Sequence, residues 1–280
     1  MTDIVVSIIC NTYNQEKYIR DALEGFVNQQ TNFKYEVLIH DDASTDSTPD
    51  IIKEYERNYP DIIKPIFQKE NQYSKGVSIS NIFQYPRARG KYIAFCEGDD
   101  YWIDNQKLQL QIDLLEKNPS VDMCAHASRT IDAATGETFL HKIVRKNVGI
   151  ISVRKVMLGG GDYVATASLL YRRKIIEEIP AFRKLMSLDY TLQIHGSLNG
   201  GMLYIPREMS VYRSNVSGSW TNDMRNNMQK KIKHMKRICC VLKQLDKDTL
   251  RKYHFTIQLL LLKTTFKLYV FQMCNYLKRN

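Results

Sequence analysis

Along the first hundred residues, short apolar runs rich in branched and aromatic side chains alternate with segments whose apolar residues recur every three or four positions. IVVSII (4–9), YEVLIH (35–40), IIKPIF (62–67) and KYIAFC (91–96) fit strands, several of them buried. Between the first two, Ile19, Leu23, Phe26 and Val27 stand at helical spacing. After the second, Thr48 is placed to cap a helix, with Pro49 at its first position and Ile51, Ile52 and Tyr55 on its inner face. Strand, helix, strand, helix, strand calls for right-handed crossovers and a parallel sheet of the α/β class. In such a sheet the ligand site lies beyond the carboxyl ends of the strands.

That rule singles out three polar loops: Asn11-Thr12-Tyr13-Asn14, then His40 to Asp46, then Glu97-Gly98-Asp99-Asp100. Each has a local reading as well. Asn14 suits a helix cap, Ser44 and Asp46 suit a turn, and Asp104 suits the start of the helix LQLQIDLL. At successive strand ends, however, they converge on one crevice. The chain has neither GxGxxG nor GxxxxGK[ST], so the usual glycine cradles for a pyrophosphate are absent. Crowded carboxylates raise one another's pKa unless a cation joins them. Glu97, Asp99 and Asp100 therefore read as a cradle for Mg²⁺ or Mn²⁺ carrying a nucleoside diphosphate. Asp41 or Asp42 is then free to accept hydrogen bonds from the base or ribose.

Composition adds a second feature. The 280 residues, 44% apolar and 25% charged, read as globular. Six cysteines lack paired metal-ligand spacing and read as reduced thiols, and MTDIVVSIIC lacks the basic start of a signal peptide, so a cytoplasmic chain is expected. The net charge of +10 is uneven: residues 225–280 hold 14 Lys or Arg against two acids, Asp246 and Asp248. A basic tail on a near-neutral body implies an anionic partner, membrane surface or nucleic acid.

VSIICNTYNQEKYIRDAL, EVLIHDDASTDST, ARGKYIAFCEGDDYW and SLDYTLQIHG, in that order, resemble the family 2 glycosyltransferases, over roughly residues 4–220. The resemblance implies the GT-A fold, a Rossmann-like mixed and mainly parallel sheet flanked by helices. It also implies inverting transfer from a nucleotide sugar, a UDP-sugar first, with a divalent metal as cofactor, in surface or cell-envelope polysaccharide synthesis. On that footing Thr12, Tyr13, Asn14 and Glu16 line the nucleotide pocket, and Asp42, with Asp41 beside it, contacts uracil or ribose. EGDD stands at the family's DxD, with Glu97 in place of the first Asp, and Asp99 then Asp100 as metal ligands. Lys75, Arg87 and Arg89 pass the nucleotide and pyrophosphate, for which an arginine fork is suited. Asp189 holds the catalytic acidic position, taking the acceptor proton; the same residue also suits a helix N-cap. Asp162 and Thr166 fall near sugar and acceptor, Arg213 reaches toward the diphosphate, and Asn215 replaces a common histidine. Trp102 either stacks on a sugar ring or packs in the core.

The expected organisation is a catalytic domain over 1–220 and a basic helical region over 221–280, with helices at 229–245 and 253–277. Lys263 and Lys267 interrupt the second helix, which argues against a bilayer span. Its faces either pack on the catalytic domain or rest on anionic lipid as a peripheral contact, beside a glycan or lipid-linked acceptor. Three rival classes remain: a silent nucleotide-sugar binder, a nucleic-acid-binding protein, against which the acidic crevice argues, and a metal-dependent phosphohydrolase, which would need a His-rich two-metal pattern.

Overall fold

The computed structural model describes residues 3–140, 143–186, 188–216, 224 and 227–277. Its first half runs β1 (Ile4–Thr12), α1 (Ile19–Val27), β2 (Lys34–Asp41), α2 (Thr48–Asn58), β3 (Ile63–Phe67), β4 (Tyr92–Phe95), β5 (Tyr101–Trp102) and α3 (Lys107–Lys117). It continues with β6 (Met123–Asp132), β7 (Thr138–Leu140), β8 (Gly149–Ile151), α4 (Val153–Gly159), β9 (Leu170–Arg172), α5 (Lys174–Glu177), α6 (Ala181–Leu185), α7 (Asp189–Ser197) and β10 (Met202–Ser214). Two long helices follow, α8 (Met228–Asp248) and α9 (His254–Leu277).

One mixed sheet has the order β3-β2-β1-β4-β9-β6-β10-β5, with β7 beside β6 and β8 beside β10. The half β3-β2-β1-β4 is wholly parallel. The register sets Thr12 beside Asp41, which brings the ends of β1 and β2 to one level. Pro65, which has no amide hydrogen to give, sits in the edge strand β3, where that loss is tolerated. β1 is buried on both faces. Val6, Ile8 and Cys10 face a core closed by α1, α2 and α3, whereas Ile9 faces a second core shared with Tyr171, Met202 and Tyr204.

Two sequence expectations shift in detail. Helix α2 begins with Thr48 already inside it: Asp46 Oδ1 accepts from the Thr48 amide at 3.0 Å, and Thr48 Oγ1 accepts from the Gln15 amide at 2.8 Å. The neighbouring β1 loop thus takes the hydroxyl that would have capped. Asp104 does not begin α3, which starts at Lys107; it precedes the helix, accepting from the Gln106 amide at 2.9 Å while pairing with Arg207. Beyond the sheet, α8 buries Ile238, Val241, Leu242 and Leu245, one stripe at helical spacing, against Phe182, Met186 and Ile194. Among the described residues, no helix is long and apolar enough to cross a membrane.

Candidate active site

The loops after β1 and β2 brace each other through their own polar groups. Asn14 donates its amide to Ser44 Oγ at 2.8 Å and accepts from the Thr45 amide at 2.8 Å; Glu16 donates its amide to Asp46 Oδ2 at 3.0 Å and accepts from the Ser47 amide at 3.0 Å. Asn14 does not cap α1; it turns the chain with φ at 51°. Tyr13 stands outside this lock with 46% of its surface exposed. Asp41 accepts from the Ser44 amide on one oxygen, while its other oxygen and the Thr12 hydroxyl are buried without a hydrogen-bond partner. Those orphaned acceptors open the crevice floor to a ligand that donates hydrogen bonds. Burial drives the Asp41 carboxyl above its ordinary range.

Gly98 explains how the acidic loop reaches this floor. A Cβ at Gly98 would lie 2.4 Å from Gln15 Oε1 and 3.0 Å from Thr12 Cβ, so a larger residue would have to displace Gln15 and crowd Thr12. The loop is then fixed from the far strand: Asp100 accepts from the Arg213 amide at 2.9 Å, and the Arg213 guanidinium donates to the Asp99 carbonyl at 2.8 Å and to Asp21. Tyr101 and Tyr18 lie against that guanidinium, 4.3 and 5.1 Å from ring centre to Cζ.

Across the crevice, Asp189 opens α7. It does not cap the helix, whose N-cap is Leu188. Its carboxylate accepts from Thr166 Oγ1 at 2.6 Å and feels the charge of Asp162. Glu97 and Asp189 both remain accessible to solvent, yet the crevice walls crowd them. That enclosure, with Asp99 and Asp189 nearby, pushes the Glu97 carboxyl up to about 8. Burial likewise raises Asp99, Asp100 and Asp189. Residues from five separate segments therefore form one acidic crevice: Thr12, then Asp41, then Glu97 and Asp99, then Thr166, then Asp189.

Other expected site residues lie elsewhere or are already engaged. Arg89 is at the opposite end of the sheet, forking onto Glu36 at 2.8 and 2.5 Å beside Ser7, because Glu36 is buried and needs a cation there. Arg87 gives its guanidinium to the carbonyls of Lys64 and Ile39. Trp102 is 4% exposed; its indole donates to the Ala167 carbonyl at 2.9 Å, its ring meets Phe26, and Lys107 Nζ lies 3.9 Å from the ring centre, so the ring packs in the core. Asp42 spends its two oxygens on the amides of Gln72 and Tyr73 at 2.8 and 2.9 Å, tying down the turn that carries Lys75. Lys75 itself pairs with Glu70. Asn215 donates to Asp132 at 2.6 Å. Residues 217–220, which follow it closely, lie outside the described residues.

The family profile of glycosyl transferase family 2 matches residues 7–180, from within β1 past α5, and stops short of Asp189. The chain belongs to this family. A relative from Mycobacterium tuberculosis, uncharacterized, is 38% identical over 218 residues, 77% of this chain and 60% of its own. The chain thus spans about 60% of the length of such curated relatives. UDP-Glc:alpha-D-GlcNAc-diphosphoundecaprenol beta-1,3-glucosyltransferase WfgD of Escherichia coli is 35% identical over 118 residues, 42% of this chain and 44% of its own. Among solved structures, S. aureus TarS 1-349 in complex with UDP-GlcNAc superposes with a TM-score of 0.71 at 18% identity, covering 94% of this chain and 73% of that one. The fold is that of the GT-A glycosyltransferases.

Within this family 2 crevice, Asp99 is the carboxylate suited to a divalent cation. Asp100 is 4% exposed and turned onto Arg213, whereas Asp99 is partly open and contacted by Gln15. Among the described residues no group of three or more His, Cys, Asp or Glu is placed to hold a metal. An ion here would therefore draw on one or two carboxylates together with substrate phosphates. Gln15, Asp21 and Tyr18 were not singled out from the sequence. Their contacts are with residues distant in the chain, and nothing in their local pattern marks them.

Proposed function

We propose that this chain transfers a sugar from a nucleotide sugar, a UDP-sugar first, to a hydroxyl of a glycan or lipid-linked acceptor in surface or cell-envelope polysaccharide synthesis, with inversion at the anomeric carbon. The observation that carries the reading is the Asp189 carboxylate, near enough to Glu97 for their charges to interact and held by the Thr166 hydroxyl. The donor's uridine side lies toward Thr12, Tyr13 and Asp41. The acceptor hydroxyl enters from the side of Asp162 and Thr166. Asp189 takes the hydroxyl proton while the oxygen bonds to the anomeric carbon on the face opposite the diphosphate, and the broken bond's electrons leave with the diphosphate. A raised carboxyl pKa makes Asp189 a stronger base, because the protonated form is favoured in its surroundings. Asp99 is the residue that would hold Mn²⁺ or Mg²⁺, and such an ion would supply positive charge to offset the negative charge developing on the leaving diphosphate. Arg213 keeps the Asp99 loop in place. The names of WfgD, with a UDP donor and a diphosphoundecaprenol-linked acceptor, and of TarS, bound to UDP-GlcNAc, support this choice of donor and acceptor class.

The test is calorimetric titration of UDP, with GDP and TDP beside it, into the wild type and Asp99→Ala, each with Mn²⁺ and with chelator. UDP binding that needs both the metal and Asp99 supports the reading; a folded protein that binds no nucleotide under any condition removes it. The rival silent binder is separated by turnover. UDP release from UDP-sugars in the presence of acceptor falls by about 10²–10⁴-fold in Asp189→Asn if Asp189 is the base, whereas a silent binder shows no turnover in either protein.

A further inference from the structure

Helix α9 carries two faces. Its inner residues Ile257, Leu260 and Leu261 pack into the third core, where Ile257 is fully buried. Its outer residues face away from that core. Phe255, Leu259, Leu262, Phe266, Tyr269, Met273 and Tyr276 recur at alternating steps of four and three, and each is exposed, Phe255 by 91%, Leu262 by 69% and Phe266 by 70%. At about 100° per residue these seven fall within one stripe about 100° wide, and at about 1.5 Å per residue the helix is about 36 Å long. An apolar stripe of that extent is covered by something.

Three features of the same helix decide what fits. Lys263 and Lys267 are exposed along one edge of the stripe, and Gln258, Thr265 and Gln272 along the other. The helix has no Asp or Glu, and it belongs to a tail with 14 bases against two acids. Four of the seven stripe residues are aromatic. A paired coiled coil favours branched aliphatics in its seam and opposite charges at its edges; a second copy of α9 would set lysine against a partner lacking any acid. An anionic lipid surface matches all three features: headgroup phosphates for the lysines, an acyl boundary for Leu262 and Phe266, and the interfacial depth that Phe and Tyr rings occupy.

We infer that α9 lies flat on an anionic phospholipid surface through its outer stripe. The attachment is coupled to the crevice. α8, between α9 and the body, holds α6 through Arg237, which donates to the Leu185 carbonyl at 2.9 Å, and through Asp248, which accepts from the Phe182 amide at 2.8 Å. Asp189 begins the next helix. Docking therefore fixes the crevice at a set height above the lipid, where a lipid-linked hydroxyl is presented. The docking itself does not depend on the proposed transfer reaction.

Co-sedimentation of the full chain with extruded vesicles of phosphatidylcholine, with and without phosphatidylglycerol, tests it at low and high salt. The wild type pellets with the phosphatidylglycerol vesicles, less so at high salt. Leu262→Glu/Phe266→Glu and Lys263→Glu/Lys267→Glu each bind weaker by on the order of tenfold or more. The four side chains are exposed, so circular dichroism melts should match the wild type. Absence of wild-type binding, or equal binding by both variants, overturns the inference. So does a dimer in sedimentation equilibrium that Leu262→Glu/Phe266→Glu dissociates, which assigns the stripe to a second copy of the chain.

Discussion

Asp189 and Lys107 show how position changes the meaning of a charged residue. Asp189 reads in the sequence first as a catalytic base and also as a helix cap, and its contact with Thr166 and its nearness to Glu97 separate the two roles. Asp189→Asn keeps the shape of the side chain, so UDP affinity and melting temperature should stay near the wild-type values while turnover is lost; a large fall in melting temperature would point to a structural role. Lys107 is the opposite case, unremarkable in the sequence and completely buried in the fold. Its ammonium donates to Gln111 at 2.8 Å over the Trp102 ring, and burial lowers its pKa from 10.5 to about 7. Between those values the unfolded chain holds a proton that the folded chain lacks, so stability falls as pH falls from about 10.5 toward 7. Lys107→Met removes that cost. Its melting temperature should exceed the wild type's at pH 7, and the gain should shrink by pH 9.

At the scale of elements, the first strands and both flanking helices are legible because their periodicity reflects burial on two faces or on one, and the observed ends differ from the expected ones by a few residues. What the pattern does not reveal is which end of the sheet a loop residue reaches. Arg89 precedes β4, so its guanidinium meets Glu36 near the start of β2, far from Asp41 at its end. Arg89→Ala should cost about 1–2 kcal/mol in urea unfolding, since it strips a charged partner from Glu36, though the guanidinium is largely exposed. UDP affinity should be unchanged; a loss of affinity at unaltered stability would return Arg89 to the phosphate site. Trp102 was open between core and sugar in the sequence. The short strand β5 decides for the core by pairing with β10 and turning the indole onto Ala167.

For the whole molecule, the third core joins α8 and α9 to α4, α6 and α7, so the basic tail is packed on the part of the body that carries Asp189. Leu245, fully buried there, links the two. Leu245→Ala should cost about 2–5 kcal/mol and lower the midpoint of a single unfolding transition seen alike by tryptophan fluorescence and circular dichroism. Two separate transitions, with only the helical signal shifted, would show the tail folding on its own.

Residue order alone determined the alternation of strands and helices, the three polar loops at successive strand ends and the excess of base in the tail, because burial, turn chemistry and charge are written in local pattern. Tertiary structure alone decided that Asp189 faces Glu97, that Asp100 and Asp42 serve backbone amides, that Arg89 and Trp102 stay out of the crevice, and that one stripe of α9 is left bare. Each of these depends on pairs far apart in the chain, and local periodicity carries no information about which distant side chain will supply a charge's partner or a ring's neighbours.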